Sequence, residues 1–260
     1  LQDKVALVTG ASSGIGRACA QSIAKEGAIV LCTDLHPEPN PRGFEDDIQY
    51  NTVEAIQKAG GRAAFRKMDI ANRQEVEEVF RHIVTTYDRL DVVVSAAGLY
   101  LPLRKFADED EELWERMVQV NLLGTARVNR LAIKQFLKQG IDPIWGSRGR
   151  IVNISSGAGK FVVPLQCAYG ATKAGVDQMT RTASTDHAND AININGVAPG
   201  LVATGMARDN FENPEILAIL RKATPLPRLG ETKDIANAAH FLVSPASSWI
   251  TGHILPVDGG

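Results

Sequence analysis

Residues 9–16 read Thr-Gly-Ala-Ser-Ser-Gly-Ile-Gly, and this stretch decides the fold. The apolar run KVALVT at residues 4–9 precedes it, and a helical pattern over residues 15–26 follows it. A strand, a glycine-rich turn and a helix in this order present free backbone N–H groups and a helix N-terminus to an anion. The stretch therefore predicts a phosphate-binding turn in an α/β fold. The alternative is a tight strand–helix turn without a ligand.

The same alternation of short β-branched runs and longer helical patterns continues along the chain. Further strands are predicted at residues 28–33, 62–68, 91–95, 150–154, 192–198 and 253–257, and helices at 45–59, 73–87, 111–139, 168–187 and 234–242. This rhythm, with right-handed crossovers, predicts a single-domain, Rossmann-like doubly wound parallel sheet of about seven strands, with helices on both faces. Residues 1–260 contain no linker or repeat. Only residues 200–228, with several prolines and one short helix, read as a loop insertion over the sheet edge.

The end of the second strand indicates which dinucleotide the turn would hold. Asp34 lies 18 residues after Gly16, where an acidic side chain accepts hydrogen bonds from the adenosine ribose hydroxyls. A 2′-phosphate there would meet like charge, and Ser13 supplies no cation for it. Both features favour NAD over NADP. The alternative is that Asp34 only caps a turn, as Asp often does.

Tyr169, Lys173 and a serine pair form the candidate catalytic group. The i,i+4 spacing places Tyr169 and Lys173 on one helix face, where an ammonium would favour the phenolate and make the phenol a useful acid–base group. Ser155 and Ser156 follow the fifth strand, at the sheet edge where such folds bind ligands. Taken singly, a Tyr–Lys pair is usually a surface pair, and two serines after a strand are usually a turn.

The motifs together resemble those of the short-chain dehydrogenase/reductase family along essentially the whole chain. TGASSGIG, IVNISS, YGATK, VAPGLVAT and SSWITGHILPVDGG occur in the family's order. The resemblance implies that Tyr169 is the acid/base and that Lys173 lowers its pKa and binds the nicotinamide ribose. It implies that Ser156, rather than Ser155, orients the substrate oxygen, since Ser156 lies 13 residues before Tyr169. Asn121, in VQVNLLG, would hold a water in the proton relay.

The resemblance also implies the cofactor contacts. Asp69 would bind the adenine amino group, and the loop after the sixth strand would contact the nicotinamide end. The full set of expected contacts is Gly10, Ser12, Ser13, Gly14, Ile15, Gly16, Asp34, Leu35, Asp69, Ile70, Ala96, Ala97, Gly98, Tyr169, Lys173, Pro199, Gly200, Val202 and Thr204. One departure is Ser95-Ala96-Ala97-Gly98, where the family usually has Asn-Asn-Ala-Gly. Without the asparagine side chains, it is in doubt which groups hold the end of the fourth strand in place, but the departure does not affect the catalytic residues.

Composition narrows the range of partners. A net charge of −2 gives no basic excess to attract nucleic acid, and no apolar run is long enough to span a membrane. Three cysteines without a CxxC pair favour a reducing, cytoplasmic setting over a disulfide framework; Cys167 is expected to be a small packed thiol. The five histidines show no metal-ligand spacing, so no metal is expected. A homo-oligomer, a tetramer or dimer built by the helices at 111–139 and 168–187, is expected from the resemblance and from the small residues of the second helix.

The sequence thus predicts an NAD-preferring oxidoreductase that interconverts a secondary alcohol and a ketone. Residues 201–226 and the loop 99–106 are expected to line the substrate pocket. Two alternatives remain open. One is an NADPH-dependent 3-oxoacyl-type ketone reductase, which Asp34 disfavours. The other is a non-catalytic NAD(H)-binding sensor, which the presence of Ser156, Tyr169, Lys173 and Asn121 disfavours.

Overall fold

The computed structural model describes residues 1–100 and 103–260, and its centre is a seven-stranded parallel sheet. The strand order is β3-β2-β1-β4-β5-β6-β7. The strands are β1 Val5–Thr9, β2 Ile29–Asp34, β3 Arg62–Lys67, β4 Val92–Ser95, β5 Gly149–Ile154, β6 Ile192–Pro199 and β7 Ile254–Val257. The strand order reverses between β1 and β4, and ligands of such sheets bind in the crevice at this point. The predicted doubly wound fold is confirmed.

Helices cover both faces of the sheet and give it two apolar cores. They are α1 Gly14–Lys25, α2 Thr52–Lys58, α3 Arg73–Tyr87, α4 Glu111–Met117, α5 Thr125–Phe136, α6 Cys167–Asp186, α7 Arg208–Glu212, α8 Pro214–Lys222 and α9 Thr232–Val243. Ala6 and Val8 of β1 face the core packed by α1 and α9, whereas Val5 and Leu7 face the core packed by α3 and α5. Because β1 is buried on both faces, it reads as a continuous apolar run.

Three predicted elements differ from the structure. The helix predicted at 45–59 begins only at Thr52, because Asn51 and Glu54 form a capping box that fixes its start. The helix predicted at 111–139 is α4 and α5 joined by a π-helical segment, Val118–Gly124, and it ends at Phe136. The insertion at 200–228 holds two helices, α7 and α8, rather than one. In the loop at 99–106, Leu101 and Pro102 lie outside the described residues.

Candidate active site

A cavity of about 1020 Å³ opens at the carboxyl ends of the strands. Its wall contains every residue that the sequence predicted to contact a cofactor: Gly10, Ser12, Ser13, Gly14, Ile15, Gly16, Asp34, Leu35, Asp69, Ile70, Ala96, Ala97, Gly98, Tyr169, Lys173, Pro199, Gly200, Val202 and Thr204. Ser156 lies on the same wall. The predicted catalytic and cofactor residues are therefore brought together at one place. Asn121 is the exception, since it is fully buried behind the wall.

The glycine-rich turn has the geometry that an anionic dinucleotide requires. Gly10 and Gly14 have φ of +65° and +56°, which glycine adopts without strain. A Cβ at Gly16 would lie 2.0 Å from the carbonyl oxygen of Gly10, so only glycine lets α1 begin this close to β1. Ser13, at the N-cap of α1, makes no side-chain capping hydrogen bond within the described part of the chain. Gly14 N at this terminus donates to Oε1 of Glu45 at 2.5 Å, so the terminus attracts an anionic group, as the binding of a pyrophosphate requires.

The part of the cavity next to β2 carries negative charge. The Oδ2 of Asp34 accepts a hydrogen bond from Ser12 N at 3.1 Å, and its Oδ1 accepts one from Leu35 N at 2.8 Å. These bonds fix the carboxylate at the end of β2. Glu38 also lines the cavity, whereas Arg17, on α1, is buried and paired with Asp47. Asp69, at the far side, accepts a hydrogen bond from Ala71 N at 2.8 Å.

Tyr169 is held in an apolar and hydrogen-bonding environment near the start of α6. The edge of the Tyr100 ring packs against it, with the ring centroids 5.2 Å apart. Burial raises the pKa of Tyr169 to about 12, while hydrogen bonding with Ser156 opposes that rise. Ser156 lies directly after β5, and its hydroxyl also accepts from Ala158 N at 3.2 Å, which fixes the side chain. Ser156 lines the cavity together with Tyr169, whereas the Ser155 hydroxyl donates to the carbonyl oxygen of Lys173 at 3.4 Å.

Lys173 is buried one helical turn after Tyr169. Its Nζ donates to the carbonyl oxygen of Ile154 at 2.9 Å and lies 5.7 Å from the centroid of the Tyr169 ring. Burial lowers the pKa of Lys173 to about 8, with Asp177 opposing the shift. That Lys173 lowers the pKa of Tyr169 stays a prediction, since the causes that shift this pKa in the structure are burial of the phenol, Ser156 and Tyr100. Desolvation dominates at both residues, and the ammonium points at Ile154 rather than at the phenol.

Asn121 lies in the π-helical segment, which turns its side chain towards the end of β4. Its Oδ1 accepts from Leu99 N at 2.7 Å, and its Nδ2 donates to Leu99 O at 2.9 Å. A Cβ at Gly98 would lie 3.5 Å from Asn121 Oδ1 and 3.7 Å from Lys173 Nζ. Both side chains therefore lie beside Gly98, whose lack of a side chain leaves room for them. π-helical turns of this kind are frequent at functional sites.

Other side chains provide the support that the altered Ser95-Ala96-Ala97-Gly98 motif put in doubt. The Thr9 hydroxyl accepts from Ala96 N at 3.2 Å and from Ala97 N at 3.1 Å, which ties the end of β4 to β1. Asn129 of α5 donates to Ser95 Oγ at 3.3 Å. The backbone at Ala97 and Gly98 is thus held in place without asparagine.

The other end of the cavity is apolar. Its walls come from the segment after β5 and from the insertion, and the main apolar side chains are Phe161, Val163, Met206, Ile216, Ile219 and Leu220. Within the described residues, the cavity-lining positions from 156–166 and 199–224 include no charged side chain. Tyr100 lies in the loop 99–106, which the sequence predicted to line the pocket, whereas Gln166 was not predicted; Gln166 Nε2 donates to the Tyr100 hydroxyl at 3.0 Å on this wall. No local motif marks either residue.

The expectation for Cys167 is wrong, because this thiol is exposed at the start of α6. In the part of the chain that the structure describes, no group of three or more His, Cys, Asp or Glu residues could hold a metal ion. None of the helices in residues 1–100 and 103–260 is long and apolar enough to cross a membrane.

Comparisons with known proteins agree with this geometry. Residues 10–260 match the family model described as enoyl-(acyl carrier protein) reductase. The chain is 33% identical to the 3-oxoacyl-[acyl-carrier-protein] reductase FabG of Thermotoga maritima, over 100% of this chain and 98% of that protein. It is also 33% identical to 3beta-hydroxysteroid dehydrogenase 1 of Eggerthella lenta, over 100% and 94% of the two chains.

Solved structures show the same relationship. A short-chain type dehydrogenase/reductase from Mycobacterium ulcerans superposes with a TM-score of 0.88 at 32% identity, covering 100% of this chain and 90% of that one. The chain belongs to the short-chain dehydrogenase/reductase family. It is accordingly an NAD(P)-dependent oxidoreductase of the kind that acts on CH–OH groups.

Proposed function

We propose that this protein is an NAD-linked dehydrogenase/reductase that interconverts a bulky, apolar secondary alcohol and its ketone. The observation that carries the proposal is that the glycine-rich turn, Ser156, Tyr169 and Lys173 line the same cavity as the apolar side chains at its other end. We call that end of the cavity, formed by the segment after β5 and by the insertion, the apolar lobe. One dinucleotide-binding and catalytic domain, spanning residues 1–260, would perform the whole reaction. A bound nicotinamide supplies the carbon that accepts or donates the hydride.

Tyr169 is the proposed acid/base of the reaction. With its pKa raised to about 12, it holds its proton at neutral pH and can donate it to the oxygen of a ketone. Ser156, which lines the same cavity and lowers the pKa of Tyr169, would hold the same oxygen. For alcohol oxidation the proton moves the other way. The ammonium of Lys173, 5.7 Å from the centroid of the Tyr169 ring, would then favour the phenolate.

Lys173 and Asn121 are the proposed path for that proton beyond Tyr169. The pKa of Lys173, lowered to about 8, lets this residue exchange a proton close to neutral pH. Asn121 fixes the backbone of Leu99 beside Lys173 and would hold a relay water there. Lys173 would also bind the nicotinamide ribose.

The preference for NAD rests on charge. Asp34 is fixed at the end of β2 by two backbone N–H groups, and Glu38 lies on the same part of the wall. Two carboxylates facing the adenosine ribose would repel a 2′-phosphate, whereas ribose hydroxyls can donate to Asp34. Ser13 supplies no positive charge, because it is a neutral residue whose hydroxyl accepts from Asn40 N at 2.6 Å.

The substrate class rests on the apolar lobe. A ligand with an ionised group would lose its hydration against Phe161, Ile216 and Leu220 without a countercharge from residues 156–166 or 199–224. A bulky hydrocarbon body would instead displace water from these side chains. A steroid-like or cyclic secondary alcohol therefore fits this lobe better than a polyol does.

A turnover panel tests the proposal. The full chain is assayed with NAD⁺ and NADP⁺ against a steroid alcohol, a substituted cyclohexanol and glycerol, and with NADH and NADPH against a 3-oxoacyl thioester. We expect the highest kcat/KM with NAD⁺ and one of the two cyclic alcohols. Highest activity with NADPH and the thioester would instead support the 3-oxoacyl reductase. No turnover with any pair, despite dinucleotide binding, would support the NAD(H)-binding sensor.

We also propose that the protein is a homo-oligomer, a tetramer or dimer, in which α4–α5 and α6 pair with a second copy. Ala171 and Ala174 are exposed on α6, and Leu123, in the π-helical segment beside it, is also exposed. Small exposed residues allow the backbones of two helices to approach closely. Light scattering checks this proposal. A mass near that of one 28.0 kDa chain at micromolar concentration would contradict it.

A further inference from the structure

Residues 36–47, between β2 and α2, lie across the glycine-rich turn, and we call this segment the strap. Three consecutive residues of the turn contact it. The Ser12 hydroxyl donates to the carbonyl oxygen of His36, and the Ser13 hydroxyl accepts from Asn40 N at 2.6 Å. Gly14 N donates to Oε1 of Glu45 at 2.5 Å, across 31 positions of sequence. The strap thus brings a carboxylate to the N-terminus of α1.

Glu45 supplies the capping interaction that the N-cap residue itself does not. A carboxylate at a helix N-terminus is stabilised by the free N–H groups and by the helix dipole. The pyrophosphate of a dinucleotide would use the same donors at this turn. Gly14 has one N–H, and two negatively charged groups cannot share it at hydrogen-bonding distance.

In the strap as the structure shows it, which we call closed, residues on either side of Glu45 are held in place, but Glu45 itself is only partly satisfied. Asp47 pairs with the buried Arg17 at 2.9 Å. Before Glu45 in the chain, Arg208 of α7 donates to the carbonyl oxygens of Arg42 and Gly43 and lies over the ring of Phe44. The Oε2 of Glu45 is buried without a hydrogen-bond partner among the described residues. A buried carboxylate oxygen in this state is costly, so the contact can give way to a better-matched anion.

We propose that Glu45 is an affinity-determining residue, which competes with the anionic centre of the dinucleotide for the N-terminus of α1. Binding of the cofactor then requires the carboxylate to leave Gly14 N. The apparent affinity for the dinucleotide is therefore the intrinsic affinity multiplied by the fraction of molecules in which the strap is open. This inference rests on the proposed function, since it assumes that the turn binds a dinucleotide.

Calorimetric titration of the full chain with NAD⁺ tests the competition. Glu45→Gln keeps the shape of the side chain but removes its charge. We expect its Kd for NAD⁺ to fall below that of the parent by about tenfold, the size expected for a charge at a helix terminus. Asp46→Asn is the matched control, because Asp46 is the exposed neighbour in the same strap and its replacement changes the net charge equally. Its Kd should stay within about twofold of the parent, as for surface changes in general.

A second variant loosens the strap without touching the carboxylate. Arg208→Gln removes the contacts to Arg42 and Gly43, and we expect it to lower the Kd for NAD⁺ by about threefold, because the closed state becomes less populated. If the parent binds NAD⁺ and both variants match it or bind more weakly, Glu45 is not a competitor and the inference is overturned. If the parent binds neither NAD⁺ nor NADP⁺, the proposed function fails, and the inference fails with it.

Discussion

The cavity wall at residues 9–16 is made of backbone N–H groups and short polar side chains, whereas the wall from residues 161–166 and 206–224 is mainly apolar. The first wall is one continuous strand–turn–helix unit, and its shape follows from glycines at fixed positions. The second is assembled from separate segments that meet only in the folded chain. The cofactor wall is thus set by local backbone geometry, and the substrate wall by tertiary packing.

The residues where the two walls meet are expected to control the chemistry. Tyr169→Phe removes only the phenolic hydroxyl, so turnover should fall by ~10²–10⁴-fold, the usual contribution of general acid–base catalysis. The Kd for NADH should be unchanged, because the ring still packs against Tyr100. Steady-state kinetics measure the turnover, and a fluorescence titration measures the Kd for NADH. Turnover within about tenfold of the parent would remove Tyr169 from the acid/base role.

The charge on the cofactor wall can be reversed by design. Asp34→Ala with Ser13→Arg removes the repelling carboxylate and adds a cation, so the ratio of kcat/KM for NADP to that for NAD should rise at least about tenfold, or ~1.4 kcal/mol. Asp34→Ala alone should give a smaller change. A parent enzyme that already prefers NADPH to NADH would show that Asp34 does not exclude the 2′-phosphate.

On the apolar wall, an added charge should weaken the binding of the substrate and leave the binding of the cofactor unchanged. Leu220→Asp places a carboxylate on a wall whose cavity-lining positions at 156–166 and 199–224 carry no charge, and we expect KM for an apolar ketone to rise about tenfold, since one lost apolar contact costs ~1–3 kcal/mol. Leu220→Met is the volume-matched control and should behave like the parent. The Kd for NAD⁺ should not change in either variant. An equal rise of KM in both variants would mean that the shape of this wall, not its polarity, determines how well the ketone binds.

Lys173 should leave a signature in the pH dependence of stability. Its pKa is lowered in the folded chain to about 8 from an ordinary value of 10.5, so between these values the unfolded chain binds the extra proton. Stability therefore rises with pH in this window. The free energy of unfolding of the parent, relative to Lys173→Met, should increase by about 2 kcal/mol from pH 8 to pH 10. Urea denaturation at the two pH values measures it, and a flat difference would show that Lys173 has an ordinary pKa.

The difference between the walls also explains which features were predictable from sequence. Gly10, Gly16 and Asp34 lie in one local unit, so their positions followed from spacing. Asn51 and Glu54 have the spacing of a capping box, a signal that could have moved the predicted start of α2 to Thr52. The π-helical segment around Asn121 has no such signal, because it depends on the contact with Leu99.

Other features arise only from tertiary packing. Glu45 reaches Gly14 across 31 positions, and Tyr100 meets Tyr169 from a different element. The upward shift of the Tyr169 pKa depends on burial, which no spacing of residues reveals. Chemistry carried by one motif was therefore predictable, and chemistry that depends on neighbouring segments was not.

A crystal structure of the dead-end complex with NAD⁺ and an apolar ketone would show whether one cavity holds both the cofactor and the substrate. We expect the dinucleotide along the glycine-rich turn, with the ketone body against Phe161 and Leu220. The ketone oxygen should lie within ~2.6–3.2 Å of both the Tyr169 and the Ser156 hydroxyl oxygens. A ketone oxygen bound out of reach of Tyr169, or a dinucleotide bound away from the turn, would contradict the account.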